Sequence, residues 1–270
     1  MAPNSGGDNR DFLRRTSELY DRVSAQYVEF CSPTLQAGLL PNPALAGEAL
    51  PYASNLALAA RAGVQPGESL LDAGCGVGGP SVDLANAFGD VRIDAVTISP
   101  VQAASARDRI VAAGVSDRVS VHVGDYHELP FEDQSYDLVF FFESSNYSYD
   151  PARLFAEMFR LLRPGGRIYI KDLFARSGRY SEDEQAQLQG VLDLWGGALV
   201  PVREDWVEYM SAAGFVDLRH EQLTQATSHF YFGAMFNDEF KLNPFGQTFF
   251  KSFPSPDLVH YGEVTGSRPL

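Results

Sequence analysis

Two short stretches hold the residue types that could do chemistry. The first, Leu70-Leu71-Asp72-Ala73-Gly74-Cys75-Gly76-Val77-Gly78-Gly79-Pro80, places glycines between an apolar run and a proline that opens a helix. Glycines there let the backbone turn tightly and approach a ligand, and N–H groups near a helix N-terminus suit a carboxylate or phosphate. Two spacings overlap: Gly74, Gly76 and Gly79 fit the dinucleotide pattern GxGxxG, while Gly74, Gly76 and Gly78 fit GxGxG with an acid two residues earlier. The glycines alone do not choose. The second stretch, Glu143-Ser144-Ser145-Asn146-Tyr147, follows the apolar residues 138–142. A glutamate in that place is either a buried, partnered structural acid or a catalytic carboxylate.

Asp72 tips the first choice. A carboxylate at the end of the first strand repels a pyrophosphate but receives the ammonium of an amino-acid moiety, which is what S-adenosylmethionine presents. Several motifs then resemble, in order over roughly residues 68–172, those of class I S-adenosylmethionine-dependent methyltransferases: LLDAGCGVGG, AVTISPVQ, GDYHELPFEDQSYDLV and LFAEMFRLLRPGGRIYI. The resemblance implies that Asp72, Gly74, Gly76 and Gly78 cradle the cofactor and that Asp125, with Tyr126, meets the adenine. The acid that the family usually places on the ribose is replaced by Thr97. The run Thr97-Ile98-Ser99-Pro100-Val101-Gln102 resembles the branch that methylates carbon in lipids and isoprenoids, which assigns Thr97 and Gln102 to the cofactor. Asp94 is the rival ribose ligand, but strand alternation puts it and Thr97 on opposite faces, so at most one faces the cofactor. His127 reads as a loop histidine.

The pattern Glu143-Ser144-x-x-Tyr147 is similar to the E-S-x-x-Y of prenyl diphosphate C-methyltransferases acting on geranyl or isopentenyl diphosphate. That resemblance implies methylation of an alkene. The π bond attacks the methyl group, a tertiary carbocation forms, and a proton must leave. Glu143 would stabilise the cation and accept the proton, with Tyr147 offering a π face. A hydroxyl or amine of a small natural product is the alternative acceptor, assisted by His127, His229 or Tyr147. A non-catalytic cofactor-binding module is the remaining one.

These residues need a scaffold. From Glu68 onward, apolar runs of strand length alternate with helical patterns, the βαβ signature of a doubly wound, mostly parallel α/β sheet. The fold class is therefore a Rossmann-like, doubly wound α/β domain, and the resemblance implies the class I methyltransferase type over residues 66–270. Residues 1–65 form a helical N-terminal cap, in which Phe12, Thr16, Leu19, Tyr20, Val23, Tyr27 and Phe30 recur at steps of three and four. Asp150 before Pro151, and Ser181 with Glu184, mark helix starts, and Pro164-Gly165-Gly166 ends a helix. Trp195 and Trp206 read as packing, and His220 and His260 as hydrogen-bonded structural histidines. An insertion over about 226–255 is rich in aromatics, nine of them between 229 and 253. It suits either a lid over an apolar pocket or a homodimer interface.

The chain has 270 residues, 45% hydrophobic and 21% charged, with a formal net charge of -14. Such a field repels nucleic acid and anionic lipid surfaces. Two cysteines make neither a disulfide framework nor a zinc site, no apolar run is of membrane-spanning length, and a reducing cytoplasm is the expected compartment. The expected partner is a small hydrophobic or diphosphate-bearing substrate. Its headgroup would be met by Lys241, Lys251, His229, Arg14, Arg15 or Arg22, or by Mg2+.

Overall fold

The computed structural model describes residues 9–30, 33–34, 49–223, 247, 254 and 257–270. In chain order the elements are α1 (Asn9–Phe30), α2 (Ala49–Ala62), β1 (Ser69–Ala73), α3 (Gly79–Ala87), β2 (Arg92–Thr97), α4 (Pro100–Ala113), β3 (Val119–Val123) and β4 (Tyr136–Phe142). A 3-10 turn (Ser145–Tyr147) precedes α5 (Pro151–Leu161), β5 (Leu162–Ala175), α6 (Glu182–Trp195), α7 (Arg203–Ala213), β6 (Val216–Gln222) and β7 (Val259–Ser267). The aromatic insertion, with Lys241, Lys251 and His229, lies outside the described residues apart from Gln247 and Pro254.

The seven strands form one sheet in the order β3-β2-β1-β4-β5-β7-β6. All neighbours are parallel except β7, which runs antiparallel to β5 and β6. Strand β4 shows why the centre reads as continuous hydrophobicity. Leu138 and Phe140 enter the core on one face, Val139 and Phe141 the core on the other, and all four have no exposed surface. Helix α5 follows the same logic: Leu154, Phe155, Met158 and Leu161 form its buried stripe, and the Asp150 side chain caps its first turn by accepting from Arg153 N. Ser181 and Glu184 form the expected reciprocal cap of α6.

The chain order reverses direction at β1, between β2 and β4. A doubly wound sheet opens a crevice at the carboxyl ends of its strands at such a point. The two helices of the expected cap play different parts there. Helix α1 lies across the strand ends, where Ser17 Oγ donates to Ile98 O at 3.1 Å and Ser99 Oγ donates to Asp21. Helix α2 belongs to the sandwich, with Leu58 and Ala59 fully buried in the core that holds Leu70 and Ile93. Pro164-Gly165-Gly166 also differs from its sequence reading. Helix α5 stops at Leu161, and the three residues belong to β5, where Gly165 N donates to Arg268 O at 2.9 Å and Arg268 N to Gly166 O at 2.8 Å. The C-terminal strand stitches the segment in place, so pairing rather than local turn preference decides it.

Candidate active site

Of the catalytic and cofactor-binding residues assigned from the sequence, all but Gly78 line a single cleft at the strand ends. Helix α1 closes it from above with Phe12, Leu13, Thr16 and Tyr20. At its floor, Asp72 is 2% exposed and accepts from Ser81 Oγ at 2.6 Å. Burial pushes its carboxyl up to about 7, against the pull of the Ser81 hydroxyl. A cation placed there would find an acid that needs a counter-charge.

The glycine loop follows. Gly74 N and Cys75 N both donate to Val96 O, at 3.0 and 2.8 Å, folding the loop back onto β2. Gly74 has φ +99°, and a Cβ there would lie 2.3 Å from Ser144 Cβ, so the approach of the β1 and β4 loops requires glycine. Gly78 has a different task from the one assigned by sequence. It starts α3 at φ 80°, where a Cβ would stand 3.0 Å from Ala106 Cβ, so it serves helix packing and does not line the cleft.

Thr97 ends β2 and donates through Oγ1 to Gln102 Oε1 at 2.8 Å, while accepting from Ser99 N at 3.2 Å. The pair is one unit on the cleft wall. Asp94 lies elsewhere, bonded to His122 Nε2 at 2.8 Å and Tyr136 OH at 2.9 Å. Asp125 accepts from His127 N (3.0 Å), meets His127 Nδ1 (2.6 Å), and accepts from Tyr149 OH (2.7 Å). Burial raises its carboxyl, but these contacts outweigh it and hold the acid below the usual range. Its Oδ2 carries a single one of these bonds, so it can accept another from an exocyclic amine. His127, 2% exposed and 2.8 Å from Ser148 Oγ, buttresses Asp125. Tyr126 OH donates to Ser144 O at 3.0 Å, tying the β3 and β4 loops together.

Glu143 sits at the mouth of β4 with φ +61°, in the left-handed region. Such a conformation costs a glutamate about 1–3 kcal/mol and persists where surroundings enforce it. Here Lys171 enforces it. Glu143 N donates to Lys171 O at 2.7 Å, and Lys171 Nζ donates to Glu143 Oε1. Lys171 has no exposed surface, and its Nζ lies 4.3 Å from the centre of the Tyr261 ring. Of the two sequence readings of Glu143, the partnered acid is thus present. The same side chain nevertheless remains 17% exposed and faces ligand space.

That space continues beyond the cofactor-sized cleft. A second pocket of about 560 Å³ shares Tyr20, Glu143 and Tyr147 with the first, and its far wall is built by Asn146, Asp172, Val191, Leu192, Trp195 and Tyr261. The Tyr20 and Tyr147 hydroxyls touch, their rings meet edge to face at 5.6 Å, and Tyr147 OH donates to Trp195 O at 3.1 Å. Burial pushes the Tyr20 phenol up to about 12. Asp172 holds the turn carrying Ser145 and Asn146: it accepts from Ser145 N (2.8 Å), Ser145 Oγ (2.7 Å) and Asn146 N (3.3 Å). Burial pushes its carboxyl up to about 7 despite the Ser145 bond.

Trp195 packs against the core, as its spacing predicts, and also walls the second pocket. Trp206 does pack, at 1% exposure, and donates to Ser145 Oγ at 3.1 Å. Burial and the neighbouring Arg203 hold His260 down at about 4, a neutral structural ring. Arg14 and Arg15 pair with Asp11 on the outer face of α1, Arg22 is exposed, and none of the three lines either pocket. Among the described residues, no group of three His, Cys, Asp or Glu is placed to hold a metal, and no helix is long and apolar enough to cross a membrane. Sequence reasoning missed Lys171, Asp172 and Tyr20. Lys171-Asp172 carried a signal, since charges closing the apolar run of β5 repeat the anomaly of Glu143 after β4.

Comparison with known proteins bears on this geometry. A family profile described as a methyltransferase domain matches residues 71–170. The methyltransferase GfsG of Streptomyces halstedii is 34% identical over 202 residues, 72% of this chain and 70% of that protein. The chain belongs to the class I S-adenosylmethionine-dependent methyltransferases. Two solved structures share the fold. Geranyl diphosphate C-methyltransferase from Streptomyces coelicolor A3(2), determined with Mg2+, geranyl diphosphate and S-adenosyl-L-homocysteine, superposes with TM-score 0.76 at 20% identity, covering 95% of this chain and 98% of that one. The [4+2]-cyclase SpnF superposes with TM-score 0.79 at 21% identity, covering 96% and 97%. Fold likeness at these identities does not name the acceptor.

The donor set of this methyltransferase fits its cofactor. Asp72 would offer a buried carboxylate to the ammonium, Thr97 with Gln102 would offer hydroxyl and amide groups to the ribose, and Asp125 would offer an acceptor to the adenine amine. When bound, S-adenosylmethionine supplies a methyl group on a sulfonium. The wall shared by the two pockets, Tyr20, Glu143 and Tyr147, is where this chain would present that methyl to an acceptor.

Proposed function

We propose that the protein methylates an alkene carbon of an isoprenoid, with a prenyl diphosphate as the substrate class. The observation that carries this reading is Glu143 at the junction of the two pockets, flanked by the rings of Tyr20 and Tyr147. In the reaction the alkene π pair forms the new carbon–carbon bond, and the methyl–sulfur pair stays on sulfur. Positive charge then resides on the neighbouring tertiary carbon. The Glu143 carboxylate and the tyrosine π faces stabilise it. Glu143 next takes the proton from an adjacent carbon, and the C–H pair becomes the alkene of the product. Apolar walls from Leu173, Val191, Leu192 and Leu199 keep water from the cation.

The diphosphate must be held from another quarter, because among the described residues no Lys or Arg lines either pocket. Lys241, Lys251 and His229 of the insertion, or a Mg2+ ion carried by the diphosphate, fill that role in this reading.

One observation favours a second reading. Asn146 Oδ1 is buried without a hydrogen-bond partner, while its Nδ2 donates to Leu173 O at 2.7 Å. An acceptor bearing a hydroxyl or amine would satisfy that oxygen and would make the reaction an O- or N-methylation. A radiolabelled methyl-transfer assay against isopentenyl, dimethylallyl, geranyl and farnesyl diphosphates, with phenols and amines alongside and with and without Mg2+, separates the two. Label in a prenyl diphosphate, lost in Glu143→Gln with S-adenosylhomocysteine affinity intact, supports the alkene reading. Label only in a phenol or amine overturns it.

A further inference from the structure

We propose that Lys171 is a positioning residue for the reaction: from inside the sheet it clamps Glu143 by both backbone and carboxylate, presenting the acid in one orientation. The inference rests on the reading that Glu143 serves the developing cation.

Three observations carry it. Lys171 pairs in register with Phe142, the last residue of β4, so it stands beside Glu143 where the chain leaves the sheet. Its carbonyl accepts from Glu143 N at 2.7 Å and its ammonium donates to Glu143 Oε1, so one residue fixes both ends of the glutamate in its left-handed conformation. Lys171 is also fully buried, in a place where an ammonium needs compensating partners, and Glu143 and the Tyr261 ring are among them. Structural economy would favour an apolar residue, since a buried ion pair seldom stabilises more than well-packed hydrocarbon.

The pair also has an electrostatic consequence. The titratable groups facing Glu143 are Lys171 and Asp172 from β5, Tyr20 from α1, Tyr147 from the turn after β4, and Tyr261 from β7. Among these described groups Lys171 is the sole basic side chain; burial lowers its ammonium and Glu143 opposes that pull. Asp172 would otherwise oppose a second negative charge beside it. With Oε1 committed to Lys171, Oε2 has no hydrogen-bond partner among the described residues and is the oxygen left for the substrate.

The test uses the full-length enzyme and geranyl diphosphate as probe, with Lys171→Met, Lys171→Arg, Glu143→Gln and the Glu143→Gln/Lys171→Met double variant. S-adenosylhomocysteine titration reports whether each fold and cofactor site survive. Lys171→Met is expected to lower kcat about 100-fold, to move the acid limb of the kcat profile toward neutral pH, and to leave cofactor affinity within about twofold. In the Glu143→Gln background the same change should lower the residual rate no further, because its effect passes through the acid. Lys171→Arg keeps the charge and should keep the position of the acid limb while losing rate. An unchanged kcat and pH profile in Lys171→Met, or an equal rate loss with and without Glu143, overturns the inference. If Lys171→Met does not fold, a shifted acid limb in Lys171→Arg overturns it instead. Full turnover in Glu143→Gln would overturn the parent reading and this inference together. Loss of turnover in Glu143→Gln with an unaffected Lys171→Met overturns this inference alone.

Discussion

Asp72, as the proposed partner of the cofactor ammonium, should make cofactor binding depend on pH. Its carboxyl is pushed from 3.8 to about 7 by burial, with Ser81 Oγ supplying a hydrogen bond that only partly offsets the cost. A folded-state value above the unfolded one means the native state holds the proton more tightly. Stability from this group is therefore present in full below about pH 4 and lost as pH rises toward 7, by about 4 kcal/mol at most, taking about 1.4 kcal/mol per pKa unit. An ammonium ligand reverses the balance, because it binds the ionised form. The ionised fraction rises from about a tenth at pH 6 to about nine-tenths at pH 8, so apparent affinity should increase about tenfold across that range. Calorimetric titration with S-adenosylhomocysteine at several pH values measures this. Asp72→Asn supplies the control, since titration of the ligand's own amine affects both proteins alike. The ratio of variant to wild-type Kd should be small near pH 6 and reach about 10 to 100 near pH 8, the worth of a charge-assisted hydrogen bond of about 1.5–3 kcal/mol. The unliganded Asp72→Asn protein should lose less of its melting temperature than wild type between pH 5 and pH 8. Asp172 contributes a loss of the same sign to both proteins, so the difference isolates Asp72. A pH-independent Kd ratio, or wild-type affinity that falls as pH rises from 6 to 8 while the variant's does not, would refute the reasoning.

Two further predictions concern the walls of the site. Gly74→Ala forces an alanine to φ +99° and puts its Cβ against Ser144, so it should cost about 2–5 kcal/mol in chemical denaturation and weaken S-adenosylhomocysteine binding; wild-type values for both would show that the β1 and β4 loops are not locked together there. Tyr147→Phe removes the contact with Tyr20 and the bond to Trp195 O, and should cost about 1 kcal/mol of stability while keeping kcat within about threefold; Tyr147→Ala removes the π face and should lower kcat about 3- to 30-fold with geranyl diphosphate. Equal kcat in the two variants would exclude a π contribution.

The linear sequence carried the sheet and the cofactor cleft because both rest on local constraints. Apolar runs such as 138–142 must be buried on two faces, glycines at 74 and 76 permit turns that other residues resist, and Asp72 next to them is a charge that a strand end does not need for folding. The choice between Thr97 and Asp94 was narrowed by strand alternation, and pairing with His122 and Tyr136 accounts for Asp94. Gly78 starts α3 against Ala106, a packing role that motif spacing does not distinguish from ligand contact.

Other features belong to the tertiary structure. Glu143 and Lys171 are 28 residues apart, and only the parallel register of β4 with β5 brings them together. Tyr20 and Tyr147 are 127 residues apart and meet because α1 lies across the strand ends. Helical periodicity in α1 showed that a stripe had to be covered without showing by what, since an amphipathic pattern specifies a buried face and not its partner. Local chemistry specified the candidate cofactor site, whereas the candidate acceptor site is assembled from side chains that share no segment, and its character was decided by which strand ends the fold placed side by side.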